Sequence, residues 1–384
     1  MMELKRYLTS YSPAKPAGAE GRIKRKKSYG YLRNLAAMGL VTLLGLAACA
    51  TPPALSPAPT ESPANTITNA TDDTAEDAAV QVDSPAPEAA DLAQGESLRV
   101  AATTNIIADV TARIGGDAAV VTGLLPIGAD PHSYEATPQD LRELSDAHVI
   151  FINGLELEAS LEPVLETVDT PVVTVNQAVE TLSFEGDHHE EEGEEQDGKE
   201  HPEEEHAYGD ADPHTWFSID AVIAWTHTIE ETLQTMDPAH VQEYAANAEG
   251  YRAELAALKA ELTAQVDQIP PAERKLVTDH EALGYFAHEY DFEIIGTVIP
   301  SLSTLAAPSA ADLAALQDQI RENGVKAILV GTTVNPTLAE QVATDAGATV
   351  VPVYTGSLSG PDGPASTYLD FMRYDVSSIV AALK

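Results

Sequence analysis

The sequence of 384 residues predicts an α/β protein with two lobes, each with a parallel sheet flanked by helices. Three observations lead to this prediction. Short apolar runs alternate with helical stretches from residue 98 onward, the same alternation returns after residue 270, and one long helical stretch separates the two series. Short apolar strands that alternate with helices are typical of parallel sheets covered by helices on both faces.

The first series lies within 97–237 and the second within 270–384. The predicted strands are, in order, 98–102, 120–125, 148–152, 172–175, 275–279, 294–298, 326–330 and 349–353. The clearest helical stretches between them are 105–114, 138–146, 309–322 and 335–346. Two of these helices begin with typical start signals, Pro308-Ser309 and Asn335-Pro336.

The stretch between the two series, 238–269, is rich in Ala, Leu, Glu and Gln and is followed by Pro270 and Pro271. These are strong helix formers, and such a helix would extend roughly 45 Å at about 1.5 Å per residue. We therefore predict one long rigid helix that joins the two lobes. Open α/β sheets bind ligands outside the carboxyl ends of their strands, which predicts a binding site in the cleft between the lobes.

The first 96 residues have the features of an export signal and a tether. A basic stretch at 22–27 precedes an apolar stretch, about 35–48, that is too short to span a bilayer permanently. Small residues then lead into Cys49, a pattern that resembles the lipobox of bacterial lipoproteins. We predict a signal peptide over 1–48, lipidation of Cys49 at the outer face of the cytoplasmic membrane, and a disordered Pro-, Ala- and Thr-rich tether over 49–96. The alternative is an ordinary signal peptide followed by a chance cysteine.

The composition excludes several classes of function. A formal net charge of −40 argues against a nucleic-acid partner, because phosphate backbones bind basic surfaces. Cys49 is the only cysteine, so that a disulfide framework in a monomer and a cysteine-based zinc site are both excluded. The acidity suits a protein that works among cations, although an acidic surface can simply be a solvated one.

Three of the eleven histidines, His132, His214 and His280, occupy related places in the predicted fold. The first two each follow an Asp-Pro pair, and the third follows Asp279 at the end of a predicted strand. Neutral imidazole is a good zinc ligand, and three histidines from separate segments could surround one ion, with the nearby Asp orienting the ring. The alternative is that Asp-Pro-His forms a turn with a hydrogen-bonded histidine.

A second group of histidines lies in the acidic stretch 187–212, which has no hydrophobic periodicity and predicts a mobile loop. The loop contains, among many glutamates, His188, His189, His201 and His206. This composition favours a low-affinity collector of metal beside the cleft. The alternative is a solvated run of charge.

Six stretches of the chain carry a family resemblance. They are, in order, TTNIIAD at 103–109, GADPHSYE at 128–135, NGLELE at 153–158, DPHTW at 212–216, HEALGYF at 280–286 and TYLDFMRY at 367–374. Together they resemble the zinc/manganese solute-binding proteins of ABC transporters, the cluster A-I metal-binding proteins, over nearly all of 98–384. The resemblance implies a divalent metal bound between two α/β lobes, a membrane permease as partner, and no enzymatic activity. It implies ligand roles for His132, His214 and His280.

The chain departs from this family at the fourth ligand. The family commonly supplies Asp or Glu in the loop after the last strand, where this chain has Gly356. Gly331 likewise stands where many relatives carry Glu. Water, Asp362 or a residue of the acidic loop therefore remains open as the fourth ligand.

The ligand set predicts Zn²⁺ in preference to Mn²⁺, because three imidazoles without a firm carboxylate suit zinc whereas manganese favours more oxygen ligands. Three alternatives remain: a manganese-specific protein of the same family, a metal-binding adhesin, and a zinc hydrolase. Three histidines plus water also form catalytic zinc sites, and Glu281 is the obvious candidate base. The sequence has no His-Glu-x-x-His pair, which argues against the hydrolase.

Overall fold

The computed structural model describes residues 84–183 and 211–384. The predicted signal peptide, Cys49, most of the tether and the loop residues His188, His189, His201 and His206 lie outside the described residues. Within the described residues the chain forms two parallel sheets flanked by helices. The predicted fold class is confirmed.

The first sheet has the strand order β2-β1-β3-β4, and its three strand pairs are parallel. The strands are β1 Leu98–Ala102, β2 Ala119–Gly123, β3 Val149–Ile152 and β4 Val172–Thr174. The helices of this half are α1 Asn105–Gly115, α2 Pro138–Asp146, α3 Glu162–Leu165 and α4 Ile219–Met236. Every residue of β3 is buried, as expected for an inner strand of a parallel sheet covered on both faces.

The second sheet has the order β6-β5-β7-β8 and repeats the connectivity of the first, again with parallel pairs only. Its strands are β5 Lys275–Thr278, β6 Glu293–Thr297, β7 Ala327–Gly331 and β8 Thr349–Val353. The helices of this half are α6 Gly284–Tyr290, α7 Ala310–Asn323, α8 Thr337–Ala346 and α9 Tyr368–Leu383.

The predicted element boundaries differ from the observed ones mainly where side chains cap a helix. The Ser309 hydroxyl accepts the N–H of Asp312 and the Asp312 carboxylate accepts the N–H of Ser309, so that Ser309 caps α7 rather than belonging to it. At α8 the side-chain oxygen of Asn335 accepts the N–H of Thr337 at 3.0 Å. The helix therefore begins at Thr337, two residues later than the sequence indicates.

The long helix between the two sheets is α5, Val241–Val266. Its first turn is preceded by a turn at Asp237, whose carboxylate accepts the N–H of Ala239 and lies 2.6 Å from Nδ1 of His240. The buried residues of α5 recur at helical spacing and are Tyr244, Ala248, Tyr251, Leu255, Leu258, Leu262 and Val266. The helix packs against α1 and α4 of the first half and against α9 of the second.

One hydrophobic cluster extends through both halves of the chain. It contains Val100 and Phe151 of the first sheet, Leu276 of the second sheet, Phe371 of α9 and the buried side of α5. The loops that follow the strands are thereby fixed against a common core. None of the helices within 84–183 and 211–384 is both long and apolar enough to cross a membrane.

Candidate metal centre

Three histidines from three separate loops converge between the two sheets. His132 lies in the loop after β2, His214 directly precedes the short 3-10 turn Thr215–Phe217, and His280 follows β5. One ring nitrogen of each lies within 4.8 Å of the other two, and this is the only such group of three His, Cys, Asp or Glu side chains in the described parts of the chain. The three residues are 8%, 1% and 2% exposed, respectively.

The spacing of the imidazoles fits one metal ion. The ring centroids are 5.2 Å apart for His132 and His214, 5.7 Å for His132 and His280, and 5.2 Å for His214 and His280. Nε2 of His132 lies 3.1 Å from Nε2 of His214. Two nitrogens bound at zinc distance to one tetrahedral ion would lie about 3.3 Å apart. The nitrogens of His132 and His214 therefore lie close to the spacing that such an ion requires.

Buried carboxylates orient two of the rings. Oδ1 of Asp212 accepts the backbone N–H of His214 at 2.9 Å and lies 2.7 Å from its Nδ1. Oδ1 of Asp279 accepts the backbone N–H of His280 at 2.8 Å and lies 2.8 Å from its Nδ1. A carboxylate oxygen accepts more than one hydrogen bond. Because each of these oxygens already accepts a backbone N–H, we assign it the ring N–H as well and place the ring proton on Nδ1 in both histidines. Nε2 of each ring then has its lone pair free to bind metal.

The same Asp-Pro-His sequence has a different hydrogen-bond pattern at His132. Oδ1 of Asp130 accepts the backbone N–H of His132 at 3.1 Å and has no bond to its ring. Oδ2 of Asp130 accepts the hydroxyls of Ser133 at 3.3 Å and of Thr304 at 2.5 Å. Since Thr304 belongs to the second half of the chain, Asp130 fixes the His132 loop against the opposite lobe.

Burial sets the protonation states around the site. Burial, together with a smaller effect of the neighbouring His214, lowers the pKa of His132 to about 3. Burial also lowers the pKa of His214 well below its ordinary value. For Asp212, burial raises the pKa to about 7, although the bond from the His214 N–H opposes the shift. The imidazoles of His132 and His214 are thus neutral at physiological pH, and the neutral form is the one that binds metal.

We expect His132 to remain neutral in the folded apoprotein at pH 5. Its pKa is depressed below the ordinary value of about 6.5, so that it binds a proton only in much stronger acid. The imidazole NMR shifts of His132, assigned by comparison with His132→Gln, should stay constant from pH 7.5 to 5. In the chain unfolded by urea the same ring should titrate near its ordinary value. A midpoint near 6.5 in the folded protein would contradict the buried site.

Two asparagines behind His214 support the site, although the sequence analysis assigned a role to neither of them. Oδ1 of Asn176 accepts the Thr215 hydroxyl at 2.8 Å and Nε1–H of Trp225 at 2.6 Å, while its Nδ2 donates to the carbonyl of Asn153 at 2.9 Å. Nδ2 of Asn153 in turn donates to the carbonyl of Pro213 at 3.0 Å. Asn153 and Asn176 both lie just beyond strand ends, and that position was the signal available in the sequence.

The His214 segment also contacts the second half of the chain directly. Nε1–H of Trp216 donates to the carbonyl of Thr355 at 2.8 Å, and the Tyr368 hydroxyl donates to the carbonyl of Trp216 at 2.8 Å. The hydroxyl of Tyr285 donates to the carbonyl of Asp212 at 3.1 Å. These bonds fix the His214 segment against the second half of the chain.

The structure does not bring every candidate residue to this centre. Asp362, a predicted candidate for the fourth ligand, is exposed and does not belong to the group of converging ligand atoms. Glu281, the candidate base of a hydrolase, accepts the Thr297 hydroxyl at 2.9 Å and is likewise not part of the group. Its carboxylate thus contacts Thr297 of the neighbouring strand β6.

Comparison with known proteins identifies the family. A sequence profile of the ZnuA family, described as zinc-uptake complex component A, periplasmic, matches residues 100–382. The chain belongs to this family. The fold and the family resemblance predicted from the six sequence stretches are both confirmed.

Several known proteins match this chain over nearly the whole of their own length. The manganese-binding lipoprotein MntA of Halalkalibacterium halodurans is 32% identical over 291 residues, 75% of this chain and 89% of the relative. The iron-binding protein YfeA of Yersinia pestis is 31% identical over 287 residues, 74% of this chain and 86% of the relative. The solved structure of the periplasmic zinc-binding protein TroA of Treponema pallidum matches with a TM-score of 0.65 at 25% identity, over 75% of this chain and 99% of that one.

These relatives decide the class of the protein. They are binding proteins and not enzymes, so that this ZnuA-family chain is a substrate-binding protein rather than a hydrolase. Nothing in the comparison supports a role in adhesion. The relatives are named for manganese, iron and zinc, which shows that one fold in this family serves several divalent metals.

Proposed function

We propose that this protein captures Zn²⁺ outside the cytoplasm and delivers it to the membrane permease of an ABC transporter. The observation that carries the proposal is the convergence of His132, His214 and His280, buried and drawn from loops of both halves of the chain. Family membership supports the transporter context, because the matched profile describes a component of an uptake complex. The metal is the cargo, and the three imidazoles are its proposed ligands.

Zinc is favoured over manganese by the chemistry of the ligands. The converging atoms are three imidazole nitrogens, and the buried carboxylates of Asp212 and Asp279 bind ring Nδ1 groups rather than pointing oxygens at the centre. Imidazole sites bind zinc more tightly than manganese, and manganese prefers oxygen ligands. The manganese-binding relative MntA keeps manganese as the second candidate.

A competition titration of the apoprotein tests this choice. We expect one tight zinc equivalent per chain, displaced by manganese only at large excess, because nitrogen ligands rank zinc above manganese. A chain that lacks 187–210 is the control, since we propose that the His- and acid-rich loop collects metal weakly beside the site. The shortened chain should lose only the weaker additional binding. Equal or tighter binding of manganese would contradict the assignment of zinc.

We also propose that the protein is exported and attached to the outer face of the cytoplasmic membrane through a lipid on Cys49. The support lies in the sequence before Cys49, which combines a basic stretch, a short apolar stretch and small residues. The relative MntA is named a lipoprotein, and the family profile is described as periplasmic. A tether over 49–96 would place the metal-binding body away from the bilayer.

Replacement of the proposed lipid attachment site tests the anchor. We expect Cys49→Ala to abolish incorporation of radiolabelled fatty acid and either to release the protein from the membrane fraction or to stall its processing, because the lipid attachment site is lost and the apolar stretch before it is too short to span a bilayer permanently. Thr51→Ala, two residues away, should behave like the wild type. Normal maturation and full membrane retention of Cys49→Ala would contradict the anchor.

A further inference from the structure

We infer that the membrane permease binds this protein through an uncharged face beside the metal centre, with Ile127 and Leu305 as its apolar contact residues. The inference deepens the proposed function and rests on it, since it assigns the surface by which the partner recognises the chain. The face is formed by the loops that follow β2, β6, β7 and β8. We call them the rim loops, and they comprise residues 124–129, 298–309, 332–336 and 354–361.

The rim loops contain no charged residue. Asp, Glu, Lys and Arg make up 21% of the chain, and its formal net charge is −40. A bilayer that contains anionic lipids repels an acidic surface, whereas an uncharged surface can approach it. The centre of a protein interface is likewise depleted in charged residues. The charge pattern therefore suits contact between this face and an apolar surface of a membrane protein.

Ile127 and Leu305 are exposed apolar side chains of the rim loops, one from each half of the chain. They are 56% and 68% exposed, respectively. The hydroxyl of Thr304 donates to Asp130 at 2.5 Å and thereby joins the two loops close to both side chains. Asp130 and Thr304 also line the small cavity at the three histidines. A partner that covers Ile127 and Leu305 is therefore next to the proposed metal site.

Hydrogen bonds fix both loops and leave the two apolar side chains exposed. The N–H of Gly128, which follows Ile127, donates to Oγ of Ser357 in the second half at 2.8 Å. The N–H of Leu305 donates to Oγ of Ser303 at 3.3 Å. A surface that is already ordered loses little conformational freedom on binding, so that exposed apolar side chains on a fixed backbone suit a docking contact.

The first described residues lie at the opposite end of the first sheet. Oγ of Ser84 accepts the N–H of Val172 at the start of β4, and the N–H of Ala90 donates to the carbonyl of Met236 at the end of α4. This segment therefore leaves the rim loops uncovered. The chain between Cys49 and Ser84 can extend over roughly 120 Å at most, which is enough for the rim loops to turn toward the membrane.

Charged replacements of the two apolar residues test the inference in cells in which the variant replaces the wild-type chain. We expect Ile127→Asp and Leu305→Asp each to lower the uptake of radioactive zinc roughly tenfold or more, because each would bury an unpaired carboxylate against the permease. The purified variants should bind zinc with wild-type affinity, since both side chains are exposed and neither belongs to the converging ligands. Ile127→Val and Leu305→Met, which stay apolar, should keep most of the uptake.

Val120→Asp is the matched control, because Val120 is 57% exposed but lies within the edge strand β2 rather than in a rim loop. Its uptake should equal that of the wild type. Normal uptake in both Ile127→Asp and Leu305→Asp, or an equal loss in Val120→Asp, would overturn the inference. A loss of zinc affinity in either rim variant would also overturn it, because that residue would then act on the metal site. If the wild type does not raise zinc uptake above that of cells without the chain, the proposed function fails and the inference fails with it.

Two binding measurements distinguish other occupants of the rim loops. The purified Cys49→Ala chain, which carries no lipid, should not bind protein-free vesicles of phosphatidylethanolamine and phosphatidylglycerol. It should also sediment as a monomer at micromolar concentration. Vesicle binding that Leu305→Asp abolishes would assign the face to lipid, and a dimer that Leu305→Asp dissociates would assign it to a second copy of this chain. Either result would overturn the inference while the zinc affinity of the same sample tests the proposed function separately.

Discussion

Replacing His280 with Ala is expected to weaken zinc binding roughly 10²-fold or more, because an incomplete shell must recruit water in place of an imidazole. The effect should be large for a second reason. His280 is the only one of the three converging histidines that belongs to the second half of the chain, so that its loss removes the bond by which the metal connects both halves. A competition titration with a zinc-binding dye measures the change.

The exposed His288 in α6 provides a matched control, since it lies eight residues further along the same half of the chain. His288→Ala should bind zinc like the wild type. A zinc concentration a thousand times the dissociation constant should stabilise the wild type by about 4 kcal/mol, because the ion binds the folded state selectively. The same addition should stabilise His280→Ala by no more than about 1.4 kcal/mol, because a site weakened 10²-fold is then at only about ten times its dissociation constant. Equal zinc affinity in His280→Ala and wild type would show that the second half does not bind the metal.

Much of the fold could be predicted because its strands are short, apolar and bounded by polar turns. The predicted ranges of β1 and β8 coincide with Leu98–Ala102 and Thr349–Val353, and β3 differs by one residue. In β3, burial on both faces leaves a continuous apolar run. The start of α8 was predicted less well, since it depends on a hydrogen bond from Asn335 that composition alone does not reveal.

His132 and His280 could be predicted as site residues because they lie in loops that follow parallel strands, whereas His214 was recognised by its Asp-Pro-His context. What the sequence could not reveal is which groups bind to them. Asp130 and Asp212 stand in the same Asp-Pro-His context, yet the structure bonds only Asp212 to an imidazole, while Asp130 bonds to Thr304 across the chain. That difference depends on contacts between residues far apart in sequence.

Asn176→Ala is expected to lower the free energy of unfolding by about 3–5 kcal/mol, because it leaves several buried polar groups without partners. The Asn176 side chain accepts from Thr215 and Trp225 and donates to Asn153. Thr215 and Trp225 are both 0% exposed, so that water cannot readily replace the lost bonds. Urea denaturation of the apoprotein measures the change. A loss of less than about 1 kcal/mol would contradict this role.

A double-mutant cycle distinguishes the lost hydrogen bonds from the loss of packing. Thr215→Val removes one of the two donors that Asn176→Ala leaves unpaired, so that the double variant should be more stable than the sum of the two single effects by about 1 kcal/mol. Because Thr215 follows His214 directly, Asn176→Ala should also loosen the His214 loop and weaken zinc binding about tenfold, an effect of the size seen when the partner of a metal ligand is removed. Additive stabilities together with unchanged zinc affinity would show that Asn176 only fills space. Coupled stabilities would show that the hydrogen bonds behind His214 fix the position of this proposed ligand.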